Sequence, residues 1–318
     1  MRKTDQGTVI IIEDDDDNGP WTVGKPLKPT PRRRAAQPLK PRGIKVLGFS
    51  DAQEEVVKTD ITTRLRERLG SLRLPWDITH YEAGHLFVEV FEKFLPGIQE
   101  TDLTFKPNTA EHAFMMQKVY DFRHKFAEIG TQVVEEYLTN EENHFTHAED
   151  RAAEAQRQIG PGLPFLSLKT IVKPGRNNKD IIKRAGIYQG ECLIMALAKY
   201  YKHIGVCPGD AFDYPCGALG LCAVALERAF RLWLRGTYNE QAATTPMFNF
   251  KSSNYVNATR DYAASIDNIS DQKWEEILDL TSAVWSSEHS PEDIELGEVR
   301  AGIISDAEDD VPDGDVNY

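Results

Sequence analysis

Cysteine is scarce in this chain of 318 residues: four, at 192, 207, 216 and 222, with no Cys-x-x-Cys pair among them. So few thiols in a chain of this size exclude a secreted disulfide framework and predict an intracellular protein with reduced cysteines. Long apolar runs are missing too. The longest, CGALGLCAVAL at 216–226, is about half a membrane span and meets Glu227 and Arg228 at once. Arg2 and Lys3 precede an apolar run of only residues 9–12, too short for a secretory signal. No membrane contact is expected. There is no glycine-rich phosphate loop, no Gly-x-Ser-x-Gly elbow and no His-Glu-x-x-His, so no catalytic residue and no cofactor is assigned. Long stretches alternating at period two are not seen either.

Charge is unevenly spread toward both ends. Residues 18–50 hold eight Lys or Arg and no acid, whereas residues 288–318 hold eleven acids and one base, Arg300. A basic arm, a mildly acidic body and an acidic tail make up the net charge of −13. Prolines at 20, 26, 29, 31, 38 and 41 forbid a helix in the arm, and neither end has the apolar surface to offset ordering entropy. Residues 1–48 and 287–318 therefore read as disordered tails around a folded domain, 49–286.

That domain reads as all-α, an irregular assembly of about seven to nine helices. Ser50 caps a first helix with Val57, Ile61, Leu65, Leu69 and Leu72 at helical spacing, ended by Pro75. A second fits 79–94, with Leu86, Val90 and Phe94 on one face. Asn108 and Glu111 open a long helix over 109–138, striped by Phe122, Phe126, Ile129, Val133 and Tyr137. Thr146 and Glu149 start a polar helix that ends near Ile159. The β-prone run 166–172 is open between strand and helix. Asn177 or Asn178 then caps a helix running to Ile204 and stopped by Gly205. Pro215 opens the most apolar helix, 216–235, and two more fit 252–267 and 270–285.

The stretch PCGALGLCAVALERAFRLWLRGTY (215–238), then FNFKSSNYVNATRDYAASI (248–266) and Trp274, resembles an uncharacterised helical domain of mushroom-forming fungi. The likeness lies in a proline, a small-residue-rich helix, an acid before aromatics and a following Phe…Tyr…Tyr segment. It implies a fungal origin and an all-α domain of unknown function, over about residues 50–285, and no mechanism. The spacing between Trp233 and Gly236, and the loop 239–247, depart from that pattern.

The tails carry the legible chemistry. Val9, Ile10, Ile11 and Ile12 favour an extended strand, and Glu13, Asp14 and Asp15 follow at once. Such a strand adds to an open sheet edge on a partner while its acids meet the partner's bases. The composition resembles a SUMO-interacting motif, so SUMO or another protein with an open sheet edge is the expected partner. The alternatives are a strand packed on this protein's own body, or an idle segment kept soluble by its acids. In the arm, Lys25, Lys28, Arg32, Arg33, Arg34, Lys40 and Arg42 form the extended basic cluster an import receptor reads, with weak nucleic-acid contact as a secondary role. Thr30, before Pro31 and Arg32, fits a proline-directed kinase. Ser305, ahead of Asp306 and Glu308, fits an acid-directed one.

Metal readings are weaker. His203, Cys207, Cys216 and Cys222 lack a knuckle spacing, and Cys222 sits in an apolar helix. Glu82, His85 and Glu89, with Asp121, His124 and Glu128, have the spacing of di-metal bundles, but also of wet helix faces. No metal ligand is assigned. The sequence thus reads as a non-enzymatic nuclear interaction protein. The competing readings are a metal-dependent enzyme built in the bundle and a nucleic-acid-associated protein of mobile-element origin. Oligomeric state is not legible.

Overall fold

The computed structural model of the protein describes residues 44, 48–95, 105–106, 109–174, 180–208 and 213–287. The tail assignments, including the boundaries at 48 and 287, fall on or against residues outside that set.

The first helix follows its expected stripe. Ser50 caps α1 (Asp51–Val56), accepting from the Gln53 amide, and the rod continues through a π turn (Val57–Ile61) into α2 (Thr62–Ser71). Val57, Ile61, Leu65 and Leu69 are buried along it. The chain then forms α3 (His80–Phe94), α4 (Ala110–Thr139) and α5 (Ala148–Gln158). An antiparallel hairpin follows, β1 (Ser167–Pro174) and β2 (Asp180–Ile187). It leads into α6 (Glu191–Ile204), α7 (Cys216–Leu232), the single turn α8 (Glu240–Ala243), α9 (Ser252–Ile266) and α10 (Asp271–Ser287). Counting α1, the π turn and α2 as one rod, nine helices stand beside one two-stranded sheet among the described residues. The fold is all-α.

The core is organised around α7. All of its residues except Cys216, Glu227 and Arg231 are buried, and it packs against α2, α4, α5, α6 and α9. Small residues allow this. At the crossing with α4, a Cβ on Gly130 would lie 2.7 Å from the backbone carbon and oxygen of Ala225. The buried bases are satisfied by carbonyls: the Arg123 Nε donates to the Pro75 oxygen at 2.9 Å, and the Arg228 Nε to the Phe248 oxygen at 2.7 Å. Arg123 also stacks on Trp76, 5.3 Å from the ring.

Three local expectations change. Thr109, not Asn108, caps α4, accepting from the His112 amide at 3.2 Å. His147, not Thr146, caps α5, where its amide donates to Asp150. The largest change is in 177–204. Residues 180–187 are strand, and the helix begins only at Glu191. Ile181 and Ile182 are β-branched and find partners across the ladder, Lys173 and Val172. Two glycines then make the exit. Gly186 has φ +60°, and a Cβ on Gly190 would lie 2.0 Å from the Phe165 oxygen. The chain turns here between β2 and α6. The hairpin also supplies the paired strands that the sequence reading did not find.

Candidate functional site

The hairpin is where this protein breaks the rule that aliphatics go inside. Among the described residues, Ile171, Val172, Ile181, Ile182 and Ile187 are each at least 36% exposed. Only four other large apolar side chains among the described residues share that exposure, and they are scattered (Tyr81, Tyr120, Leu234, Met247). Clustered exposed apolar residues mark interaction surfaces, whereas single ones do not.

The register distributes them on both faces. Pairing runs from Ser167 opposite Ile187 to Pro174 opposite Asp180, so odd-numbered residues of both strands share one face and even-numbered ones the other. Ile171, Ile181 and Ile187 lie on the first face, interspersed with Lys169, Lys173 and Lys183. Val172 and Ile182 lie opposite one another on the second, next to Arg184. Over both strands the sequence has four bases and one acid, Asp180, in a chain of net charge −13. The hairpin is an aliphatic, basic element on an acidic protein.

Its base is held firmly. Tyr188 is buried with φ +67°, a left-handed conformation that costs a bulky residue about 1–3 kcal/mol. Burial raises its phenol above the ordinary range. The next residue, Gln189, donates through Nε2 to Glu276 Oε2 at 2.8 Å, and Lys273 Nζ reaches the same oxygen at 2.8 Å. The Lys273 hydrogen bond keeps the Glu276 carboxyl below the ordinary carboxylate range. These bonds tie the exit of β2 to α10.

Between them lies a cleft of about 900 Å³, a volume common for ligand sites. One wall is the unbroken run 184–189, and the other comes from the α9–α10 turn and α10, with Lys273, Glu276 and Leu280. That wall runs from the end of β2 through Tyr188 and Gln189 toward α6, and Leu168 of β1 lines the cleft beside it. Among the described strands, β1 alone pairs with β2.

A second cavity, about 140 Å³, lies on the other side of the hairpin's base and is mostly polar. Gln158, Ser167 and Thr170 line it, and each has a buried side-chain oxygen with no hydrogen-bond partner among the described residues. Behind it, Glu154 accepts from Tyr137, Gln158 and Arg157, each at 2.7 Å. Burial pushes the Glu154 carboxyl up, and these hydrogen bonds outweigh burial and hold it below its ordinary value. No histidine lines either cavity, and burial raises the Cys192 thiol in the second.

Searches against protein-family models, curated proteins and solved structures each find no match. The site is therefore read from its own chemistry.

The residues singled out in the tails all lie outside the described set: Val9, Ile10, Ile11, Ile12, Glu13, Asp14 and Asp15; Lys25, Lys28, Arg32, Arg33, Arg34, Lys40 and Arg42; Thr30 and Ser305. The metal candidates lie within the described residues, and several have other employment. Glu82 accepts from the Thr79 amide as the cap of α3, Glu89 approaches Arg68, and Glu128 pairs with Lys125. Gln117 donates to Asp121, His85 stacks edge-on to Tyr81, and Cys222 is buried in α7 with its thiol pushed up. Among the described residues, no three His, Cys, Asp or Glu side chains converge as a metal cage. The hairpin itself was missed. Its signal was present as two β-branched runs, Thr170-Ile171-Val172 and Ile181-Ile182, around a Pro- and Asn-containing stretch.

Proposed function

We propose that this protein is a non-enzymatic interaction protein of the nucleus, whose helical body presents the hairpin and its cleft to another protein. The observation that carries the reading is the cluster of five exposed aliphatics on one hairpin of a domain whose other apolar residues are mostly packed inside. The tails add an address and a second contact. The basic arm, Lys25 to Arg42, supports import, and the aliphatic-acidic segment around Ile10, Ile11 and Ile12 supports contact with SUMO. The likeness to the fungal helical domain adds no activity.

Proximity labelling in the cells of origin tests the reading. The full chain is compared with a variant carrying Ile171→Ser, Ile181→Ser and Ile187→Ser. These side chains are exposed, so the variant keeps the helical spectrum and loses a defined set of neighbours. An unchanged set of neighbours refutes the reading.

A further inference from the structure

We propose that the smaller cavity, at the base of the hairpin, is a binding site for inorganic phosphate. This goes beyond the interaction reading and does not rest on it.

The cavity lies where three elements meet. Gln158 comes from the end of α5, Ser167 and Thr170 from β1, and Gly190 marks the start of α6. The fold leaves its polar groups unpaired. Gln158 and Ser167 are each only 6% exposed, yet Gln158 Oε1 and Ser167 Oγ have no hydrogen-bond partner among the described residues, and neither has Thr170 Oγ1. An unpaired buried polar group is costly, so three around one cavity point to an occupant that pairs with them. The volume, about 140 Å³, equals four or five waters at roughly 30 Å³ each. It admits a single tetrahedral oxyanion and no nucleotide.

The donors around the cavity select an anion. α6 runs for 14 residues from Gly190, and no side chain caps its first turn. The first amides of a helix lack intrahelical carbonyls, and that end carries partial positive charge. The Ser167 and Thr170 hydroxyls donate to an anion's oxygens. Nearby negative charge is limited. Glu154, behind the cavity, receives Arg157 Nε and Nη2, each at 2.7 Å. The Cys192 thiol is kept neutral by burial, and Glu191, the acid on the wall, is exposed. A metal cation would face the positive end of α6, and no three His, Cys, Asp or Glu gather there among the described residues.

Gln158 then separates phosphate from other anions. Its Nε2 donates to Glu154 Oε1 at 2.7 Å and to the Tyr137 hydroxyl at 3.2 Å, which leaves Oε1, purely an acceptor, for the cavity. Phosphate near neutral pH keeps a proton on at least one oxygen and donates it to that acceptor. Sulfate and chloride have none to give.

The test titrates the full chain in Tris chloride with sodium phosphate, read by calorimetry, with sodium sulfate at equal ionic strength for comparison. Saturable binding of one phosphate is expected, with sulfate about tenfold weaker or more, because it leaves the Gln158 oxygen unpaired. Ser167→Ala and Thr170→Val should each weaken phosphate about tenfold. Neither hydroxyl has a protein partner, so without phosphate both variants should melt no lower than the parent chain. Glycerol phosphate, and a peptide of residues 25–36 phosphorylated at Thr30, should bind no more tightly than phosphate. Tighter binding of either would assign the cavity to a phosphoester and overturn the proposal. No saturable phosphate binding would leave water in the cavity and overturn it, as would equal affinity for sulfate. Phosphate affinity unchanged in both variants would move the binding elsewhere and overturn it too. The interaction reading stands or falls separately, on the triple-serine variant.

Discussion

Two glycines in the core should respond to the same substitution with opposite signs. Gly130 and Gly220 are both inside helices, α4 and α7. A helical glycine costs about 1 kcal/mol relative to alanine, so propensity alone favours Ala at both. Space decides otherwise at one. A Cβ at position 130 would stand 2.7 Å from the backbone of Ala225, where no flexible side chain can yield. Forcing extra volume into a packed crossing costs about 1–3 kcal/mol, and a contact with backbone that cannot yield belongs at the upper end, about 2–3 kcal/mol; less the propensity gain of about 1 kcal/mol, Gly130→Ala should destabilise by about 1–2 kcal/mol net. At position 220 the nearest atoms, Ile266 Cδ1 and Thr259 Cγ2, are both 3.7 Å away, an ordinary contact. Gly220→Ala should stabilise by up to about 1 kcal/mol. At about 2–4 °C per kcal/mol for a domain of this size, Gly130→Ala lowers Tm by roughly 2–8 °C and Gly220→Ala raises it by roughly 2–4 °C. Calorimetry of the full chain reads both. Shifts of the same sign would refute the argument that the α4–α7 contact is closed by the absence of a side chain.

Leu226 is fully buried in α7, so Leu226→Asp should remove the cooperative melt, because an unpaired buried charge adds several kcal/mol to the lost packing. His203 has its pKa pushed down to about 4 by burial, with Arg66 and Lys125 adding to the effect. The folded state resists protonation there, so stability should fall as pH drops from about 6.5 to about 4. His203→Gln should flatten that slope in urea titrations, and an unchanged slope removes His203 as its source. A peptide of residues 5–20 should bind SUMO at roughly 1–100 μM and lose binding when Ile10, Ile11 and Ile12 become Ala. Unchanged affinity would reduce the attraction to acidic charge alone. Arg32, Arg33 and Arg34 changed together to Ala should leave the full protein in the cytoplasm, as seen by microscopy, and continued nuclear accumulation would place the address elsewhere.

Much of the helical body was legible because its apolar spacing is dense and local. The stripe Val57, Ile61, Leu65, Leu69 and the stripe Phe122, Phe126, Ile129, Val133 are both buried as their periods require. Boundaries slipped where neighbouring residues compete for one cap, as Asn108 does with Thr109. The hairpin was not legible for a more basic reason. Asn serves turns and helix caps through the same side-chain chemistry, so Asn177 and Asn178 supported either reading. The pairs Ile171 with Lys183 and Val172 with Ile182 decide the matter, and a periodicity search does not see partners across a turn. The exposure of those isoleucines follows from the same pairing, so the surface that best suggests a function became visible only with the fold.

The central claim is that this hairpin is a docking surface, and a photo-crosslinking amino acid placed at position 182 in the full chain tests it most directly. Position 120, an exposed Tyr on α4, serves as the control. The account predicts a discrete crosslinked protein partner from position 182 in cells, absent from position 120. Crosslinks of equal yield and pattern from both positions, or none from position 182, would contradict it.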